Sequence, residues 1–285
     1  MNTRFEQIVP LLTPYDELGG VDTRAMAAHA ALLAERGVDG FFVAGTAGEG
    51  ALLADDEVVE ATRTVASAAP GLQVIAQAGR PSTVATRELT LRAFDAGAVA
   101  VAVVTPYYYA LTADGAIEHY RQVVEAVAGA PVHAYVIPSH AQNDLDPELL
   151  ARLADLGVAG VKDSTKDLDR HRAYLRVAAG RPGFAVYNGT DAQALFALRE
   201  GSRGVVPALG NLKPELFVEM FAAAEEGDDA RATALQEEIG RLREEVRGQG
   251  VASLKHAVAE LLAGRGERYG TRARDPLPRH VATDG

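Results

Sequence analysis

The chain is predicted to be an α/β protein, a (β/α)8 barrel followed by a helical extension, and three observations predict it. Eight apolar runs of strand length recur up to Val206, each followed by a segment of helical pattern. The runs are continuously apolar, as parallel strands covered on both faces must be. Eight such units in roughly 210 residues suit a closed barrel, for which about 250 residues is typical. No dinucleotide-binding fingerprint supports the rival, an open doubly wound sheet.

Taken in order, the run Ile8 to Pro14 closes on a proline turn, and Asp22 or Thr23 caps a helix running to Arg36, stopped by Gly37. Gly40 to Ala44 reads as a buried strand and leads into the glycine-rich Gly45-Thr46-Ala47-Gly48-Glu49-Gly50. The pattern then gives a helix over Asp55–Ala69, a strand over Leu72–Ala78, a helix over Ser82–Ala96 and a strand over Val99–Val104. A helix over Asp114–Ala128 precedes a strand over Val132–Ile137, and a helix over Asp146–Leu156 precedes the sixth strand, which begins at Val158. The helix Leu168–Ala179, the strand Phe184–Asn188, the helix Asp191–Arg199 and the strand Gly204–Val206 follow. After Pro214 only helices are expected, over 215–226, 230–247 and 251–263, and then an irregular Gly/Arg/Pro-rich tail. The expected division is a catalytic barrel over residues 1–212 and a C-terminal helical region over 213–285.

Composition narrows the function. The formal charge of −11 and the absence of clustered cations exclude a nucleic-acid surface. With no cysteine there is no disulfide, zinc-thiolate site or cysteine nucleophile. No apolar run approaches the roughly 18 residues of a membrane span and no leader-like segment opens the chain, so a cytoplasmic protein is expected. The seven histidines show no metal-ligand spacing. Asp144, Asp146 and Glu148 are spaced for helix capping rather than for a metal.

In a barrel, reactive groups sit where strands end and loops begin. Four polar groups fall there: Thr46, Thr105-Pro106-Tyr107-Tyr108-Tyr109, Tyr135 and Lys162. The chain has only four lysines, and Lys162 ends the apolar run Val158-Ala159-Gly160-Val161. A lysine pointing into a dry cavity forms a Schiff base with a carbonyl compound, whereas a lysine at a wet strand end is merely solvated. The Gly45–Gly48 turn offers N–H groups suited to a carboxylate or phosphate. Glycine is also common in such turns for steric reasons. Tyr135 either relays protons beside an imine or packs with its hydroxyl on a carbonyl. Three consecutive tyrosines cannot all face the core, because neighbours in an extended segment alternate faces, so one reaches a cleft or a subunit interface.

Together, Gly45-Thr46-Ala47-Gly48-Glu49, Thr105-Pro106-Tyr107-Tyr108, Tyr135-Val136-Ile137-Pro138 and Gly160-Val161-Lys162-Asp163 resemble the dihydrodipicolinate synthase and N-acetylneuraminate lyase superfamily of pyruvate-dependent class I aldolases, over nearly the whole chain. The resemblance implies that Lys162 forms the imine with a 2-oxo acid, helped by low-dielectric surroundings that disfavour its charged form. It implies Tyr135 as proton shuttle, Thr46 as its hydrogen-bond partner and Tyr108 as the end of the relay across a subunit contact. The backbone of Thr46, Ala47 and Gly48 would hold the pyruvate carboxylate. The implied substrate-binding set is Ala47, Gly48, Ser164, Gly189, Asp191, Val206 and His140, in a homotetramer needing neither metal nor cofactor beyond the covalent imine.

Departures from the family pattern bear on the substrate. Pro138-Ser139-His140 stands where the synthases carry Pro-Ser-Arg, and loss of a bidentate guanidinium is not conservative. Gly189-Thr190-Asp191-Ala192 retains only the aspartate of the sialic-acid lyases' sugar-binding motif, and Ala47 removes a hydroxyl from the carboxylate turn. The tyrosine run and Gly160–Ser164 look most like 2-keto-3-deoxygluconate aldolases, with Ser164 and Asp191 as hydroxyl contacts. The expected reaction is therefore reversible cleavage of a 2-keto-3-deoxy sugar acid to pyruvate and an aldehyde. Dihydrodipicolinate synthesis, a related sugar-acid dehydration, and a non-catalytic 2-oxo acid sensor are the alternatives.

Overall fold

The computed structural model describes residues 5–246 and 250–278. Eight parallel strands close into one barrel in sequence order: β1 (Glu6–Val9), β2 (Gly40–Val43), β3 (Gln73–Gln77), β4 (Ala100–Val104), β5 (Val132–Val136), β6 (Gly160–Asp163), β7 (Ala185–Asn188) and β8 (Gly204–Val205). The helices between them are α1 (Thr23–Glu35), α2 (Asp55–Ala68), α3 (Thr83–Asp95), α4 (Ala113–Ala126), the short α5 (Pro138–Ala141), α6 (Pro147–Asp155), α7 (Leu168–Ala179) and α8 (Ala194–Arg199). The C-terminal helices are α9 (Pro214–Glu225), α10 (Asp229–Val246) and α11 (Val251–Ala263). The expected helix end at Arg247 and the tail beyond residue 278 lie outside the described residues.

Each strand divides its residues between two cores because successive side chains point to opposite faces. Phe41, Val74, Val101, Val103, Ala134, Val161 and Val186 face the helices. Ile8, Phe42, Ile75, Ala102, Val104, Tyr135 and Tyr187 fill the barrel. Helix starts follow local capping: Asp22, Thr112, Asp146 and Asp167 each accept a hydrogen bond from a first-turn N–H. Asp146 thus caps α6, and Asp144 pairs with Arg170, so neither is arranged as a metal ligand.

Three features depart from the sequence reading. The first strand begins at Glu6, two residues before the apolar run, with Glu6 and Gln7 buried. The polar residue is accommodated because Tyr187 Oη donates to Glu6 Oε2 at 2.7 Å and Arg203 pairs with the other oxygen. A turn of helix, α5, directly follows β5 and carries His140. The C-terminal helices share a core with the barrel: Phe217, Met220, Leu254 and Leu262 join Phe5, Leu12, Ala25 and Leu32 in one cluster. Helix α9 follows β8 and packs on α8, supplying the helix of the eighth unit.

Closure leaves no room inside at β6. A Cβ on Gly160 would lie 2.3 Å from the Ala185 carbonyl oxygen and 2.5 Å from His133 Nδ1. Gly160→Ala is therefore expected to destabilise the fold by about 3 kcal/mol through overpacking, measured as the shift in urea midpoint at unchanged slope. A loss below about 0.5 kcal/mol would show that β6 can shift to make room.

Candidate active site

Parallel register sets the site. Tyr135 on β5 is paired with Lys162 on β6, and Lys162 with Tyr187 on β7, so three inward side chains are direct neighbours. Phe42 comes in from β2, and its ring meets that of Tyr135 edge to face at 5.5 Å. Lys162 Nζ lies 3.9 Å from the centre of the Phe42 ring and 4.0 Å from that of Tyr135. The residue is 6% exposed and no carboxylate is brought to its amine, so burial alone pulls its pKa down to about 7. The solvated strand-end alternative is thereby removed. Of the two readings of this lysine, the fold builds the dry one.

The Tyr135 hydroxyl lies 3.0 Å from Thr46 Oγ1 and also bonds Ser164. Burial pushes the phenol above its ordinary range, and the two hydroxyls partly offset that. Gly189 passes so close that a Cβ there would sit 2.2 Å from Ser164 Oγ and 3.3 Å from Lys162 Cε. Only glycine lets Ser164 reach the tyrosine beside the lysine. Behind the strand, outward-facing Asp163 accepts from Thr165 N–H at 2.9 Å and pairs with His171 at 2.8 Å, whose Nε2 meets Ser202 Oγ at 2.8 Å. This Asp–His–Ser chain has hydrolase-triad connectivity, but it is buried on the helix side of the barrel. Its role is to fix the end of β6 to α7 and β8, as a triad without access to substrate must.

The turn after β2 is held from several sides. Thr13 Oγ1 donates to the Gly48 carbonyl at 2.7 Å, a Cβ on Gly48 would lie 2.8 Å from the Leu11 carbonyl, and Glu49 N–H closes the turn on Thr46 O at 3.1 Å. Among the described residues, the N–H groups of Thr46, Ala47 and Gly48 donate to no other group. Three free donors on a rigid turn form a cradle for an anion.

A cavity of about 810 Å3 opens at this end of the barrel, lined by Thr46, Gln77, Tyr107, Tyr135 and His140 and, from the C-terminal segment, by Val251 and Leu277 among others. His140 is exposed there, its Nδ1 2.9 Å from Ser139 Oγ. Val206 is buried in the barrel core. Two expected residues are otherwise engaged. Asp191 is 1% exposed, and its Oδ1 accepts from Leu209 N–H at 3.0 Å, so it ties the segment after β7 to the one after β8. Tyr108 is 77% exposed at φ 82°, its ring against Tyr109, so within one chain it is not brought to Lys162.

Sequence reasoning missed Phe42, which nothing distinguishes from a packing residue until its ring is seen against the lysine. It also missed the partners of Glu49, which is 3% exposed and ion-paired with Lys255 of α11. A lysine inside the apolar helix 251–263 of a lysine-poor chain was the available clue. No group of three or more His, Asp or Glu side chains suited to a metal occurs among the described residues, and no helix among them is long and apolar enough to cross a membrane.

The sequence profile of the dihydrodipicolinate synthetase family matches residues 5–280. The chain belongs to this family. It is 36% identical over 280 residues to the 4-hydroxy-tetrahydrodipicolinate synthase of Agrobacterium fabrum, covering 96% of this chain and 92% of that one. The E. coli K12 prophage protein YagE, solved in complex with pyruvate, superposes with a TM-score of 0.89 at 27% identity, covering 96% and 93% of the two chains. A variant of the Sulfolobus solfataricus 2-keto-3-deoxygluconate aldolase superposes with a TM-score of 0.85 at 26% identity, covering 96% and 88%. Membership makes this chain a pyruvate-dependent class I lyase of TIM-barrel fold.

The neutral form of Lys162 grows as pH rises through about 7, far below the ordinary lysine range. Imine trapping with a 2-oxo acid and borohydride should therefore rise sigmoidally with a midpoint near 7 and level off above it, read by intact mass against pH. A midpoint near 10 would show that the lysine is solvated. The same shift makes the burial penalty on stability largest below about pH 7, fading as pH approaches 10.5, where the unfolded chain also loses its proton.

Proposed function

We propose that this enzyme cleaves a 2-keto-3-deoxy sugar acid of the 2-keto-3-deoxygluconate kind, reversibly, into pyruvate and an aldehyde, through an imine on Lys162. The observation that carries the reading is the unpaired, desolvated Lys162 against the Tyr135 ring, with the phenol held by Thr46. Neutral Nζ attacks the C2 carbonyl, and loss of water from the carbinolamine gives the protonated imine. The Tyr135 phenol gives its proton to the departing carbinolamine hydroxyl and, as the phenolate so formed, takes the proton of the C4 hydroxyl, while the C3–C4 electron pair moves into the imine, giving an enamine and the free aldehyde. Protonation at C3 and hydrolysis return the amine and release pyruvate. The substrate carboxylate rests on the Thr46, Ala47 and Gly48 N–H groups and on no metal or organic cofactor.

The sugar-acid reading draws on two supports. His140 stands where the synthase pattern has its guanidinium, so the second carboxylate of an aspartate semialdehyde adduct lacks that bidentate partner. Similarity to the S. solfataricus aldolase points the same way. Ser164 and His140 are the candidate hydroxyl contacts on the sugar chain. The exposed Tyr108 and Tyr109, at 77% and 71%, suit a subunit contact, and in this reading a homotetramer places Tyr108 at the neighbouring relay. Such an enzyme works in the cytoplasm.

Lys162→Ala is expected to abolish pyruvate release from 2-keto-3-deoxygluconate, by at least about three orders of magnitude in kcat, with the fold intact by circular dichroism. Tyr135→Phe should lower kcat roughly a hundredfold with little change in KM. Assayed in parallel, condensation of pyruvate with aspartate semialdehyde should be the slower reaction. If condensation is faster, the sugar-acid assignment falls and the imine chemistry stands; if Lys162→Ala retains turnover, the imine chemistry falls.

A further inference from the structure

The C-terminal segment reaches the turn after β2 through a buried charged cluster. Glu49, directly after the three N–H donors, holds φ 58°, an uncommon conformation for a residue with a side chain, so something must hold it there. Its carboxylate meets the Tyr15 hydroxyl and takes two further partners from more than two hundred residues away. Lys255 Nζ on α11 pairs with Oε1, both side chains being fully buried, and Arg274 N–H donates to Oε2 at 2.6 Å. Lys255 Nζ also donates to the Arg272 carbonyl at 2.8 Å and lies 4.2 Å from the centre of the Tyr15 ring. The Arg274 guanidinium grips Glu57 through two bonds of 2.6 Å, donates to the carbonyls of Leu52 at 2.9 Å and Gly19 at 2.8 Å, and lies 4.5 Å from the Tyr15 ring centre. The two cations therefore lock residues 270–274 onto both ends of the segment 49–57.

We propose that Lys255 and Arg274 are positioning residues for the oxo acid, setting through Glu49 the turn whose N–H groups hold its carboxylate. The inference rests on the imine reading above and deepens it. A buried carboxylate that loses its cation drives its own segment toward water, and this segment carries Thr46, Ala47 and Gly48. The effect falls on the carboxylate of the bound acid more than on the reactivity of Lys162, which is held by β2, β5 and β6. The C-terminal region is then part of the catalytic unit.

The test compares two carbonyl compounds in borohydride trapping at Lys162: pyruvate, and acetone, which lacks the carboxylate. Lys255→Met should raise the half-saturating pyruvate concentration roughly tenfold, the effect of one lost hydrogen bond to a charged group, while that for acetone stays within about twofold. Arg274→Met, which keeps the backbone N–H, should shift pyruvate selectively by a smaller factor. If Lys255→Met does not fold because Glu49 is left unpaired, Arg274→Met, which keeps the Lys255–Glu49 pair, carries the test. Equal losses for both compounds, or no loss for pyruvate, overturn the positioning role while leaving the imine reading intact. A wild-type enzyme that pyruvate does not trap overturns both.

Discussion

An amine held in the barrel without a counter-charge is the constraint around which the other features are arranged. Removing a lysine from water disfavours its ammonium form, and nothing brought to Lys162 restores it. Lys255 is the contrasting case in the same chain. Burial holds its amine below the ordinary range too, but the Glu49 carboxylate that it faces opposes that effect. Two lysines in similar dryness thus differ because only one meets an acid. The unpaired one is suited to chemistry and the paired one to structure.

Keeping Lys162 dry and aimed requires contributions from segments far apart in the chain. Phe42 and Tyr135 cover the amine, Gly189 makes room for Ser164 beside it, and the Asp163–His171–Ser202 chain pins the strand from the opposite face. Because these supports act on backbone or on rings rather than on charge, they orient the amine without protonating it. The turn after β2 is managed differently. Its Thr46, Ala47 and Gly48 N–H groups are left without a partner among the described residues, while Glu49, directly after them, is anchored by charge.

Much of the fold was legible because a parallel barrel writes itself as continuous apolar runs with helical stretches between them, and all eight runs became strands. Lys162, Tyr135 and Thr46 were legible for the same reason, as polar residues where apolar strands end. The bond between Thr46 and Tyr135 and the dryness of Lys162 matched what the family resemblance implied. Less legible were features in which a polar residue is neutralised by a distant one. Glu6 reads as a solvated residue before the first strand until Tyr187 and Arg203 are placed against it. The tail after residue 264 reads as irregular, which it is over the described residues 265–278, yet Arg274 makes it a clasp. Asp191 looked available to substrate because nothing local marks the Leu209 N–H that it binds.

Local pattern therefore determined the fold class, the order of elements and the place of Lys162 at the end of an apolar strand, since strand length, apolar continuity and turn chemistry are properties of neighbouring residues. Tertiary structure alone decided whether that lysine is wet or dry, which ring covers it, and where each acidic side chain ends. Solvation and ion pairing depend on what approaches through space, and the groups that approach Lys162 and Glu49 come from segments as much as 225 residues away.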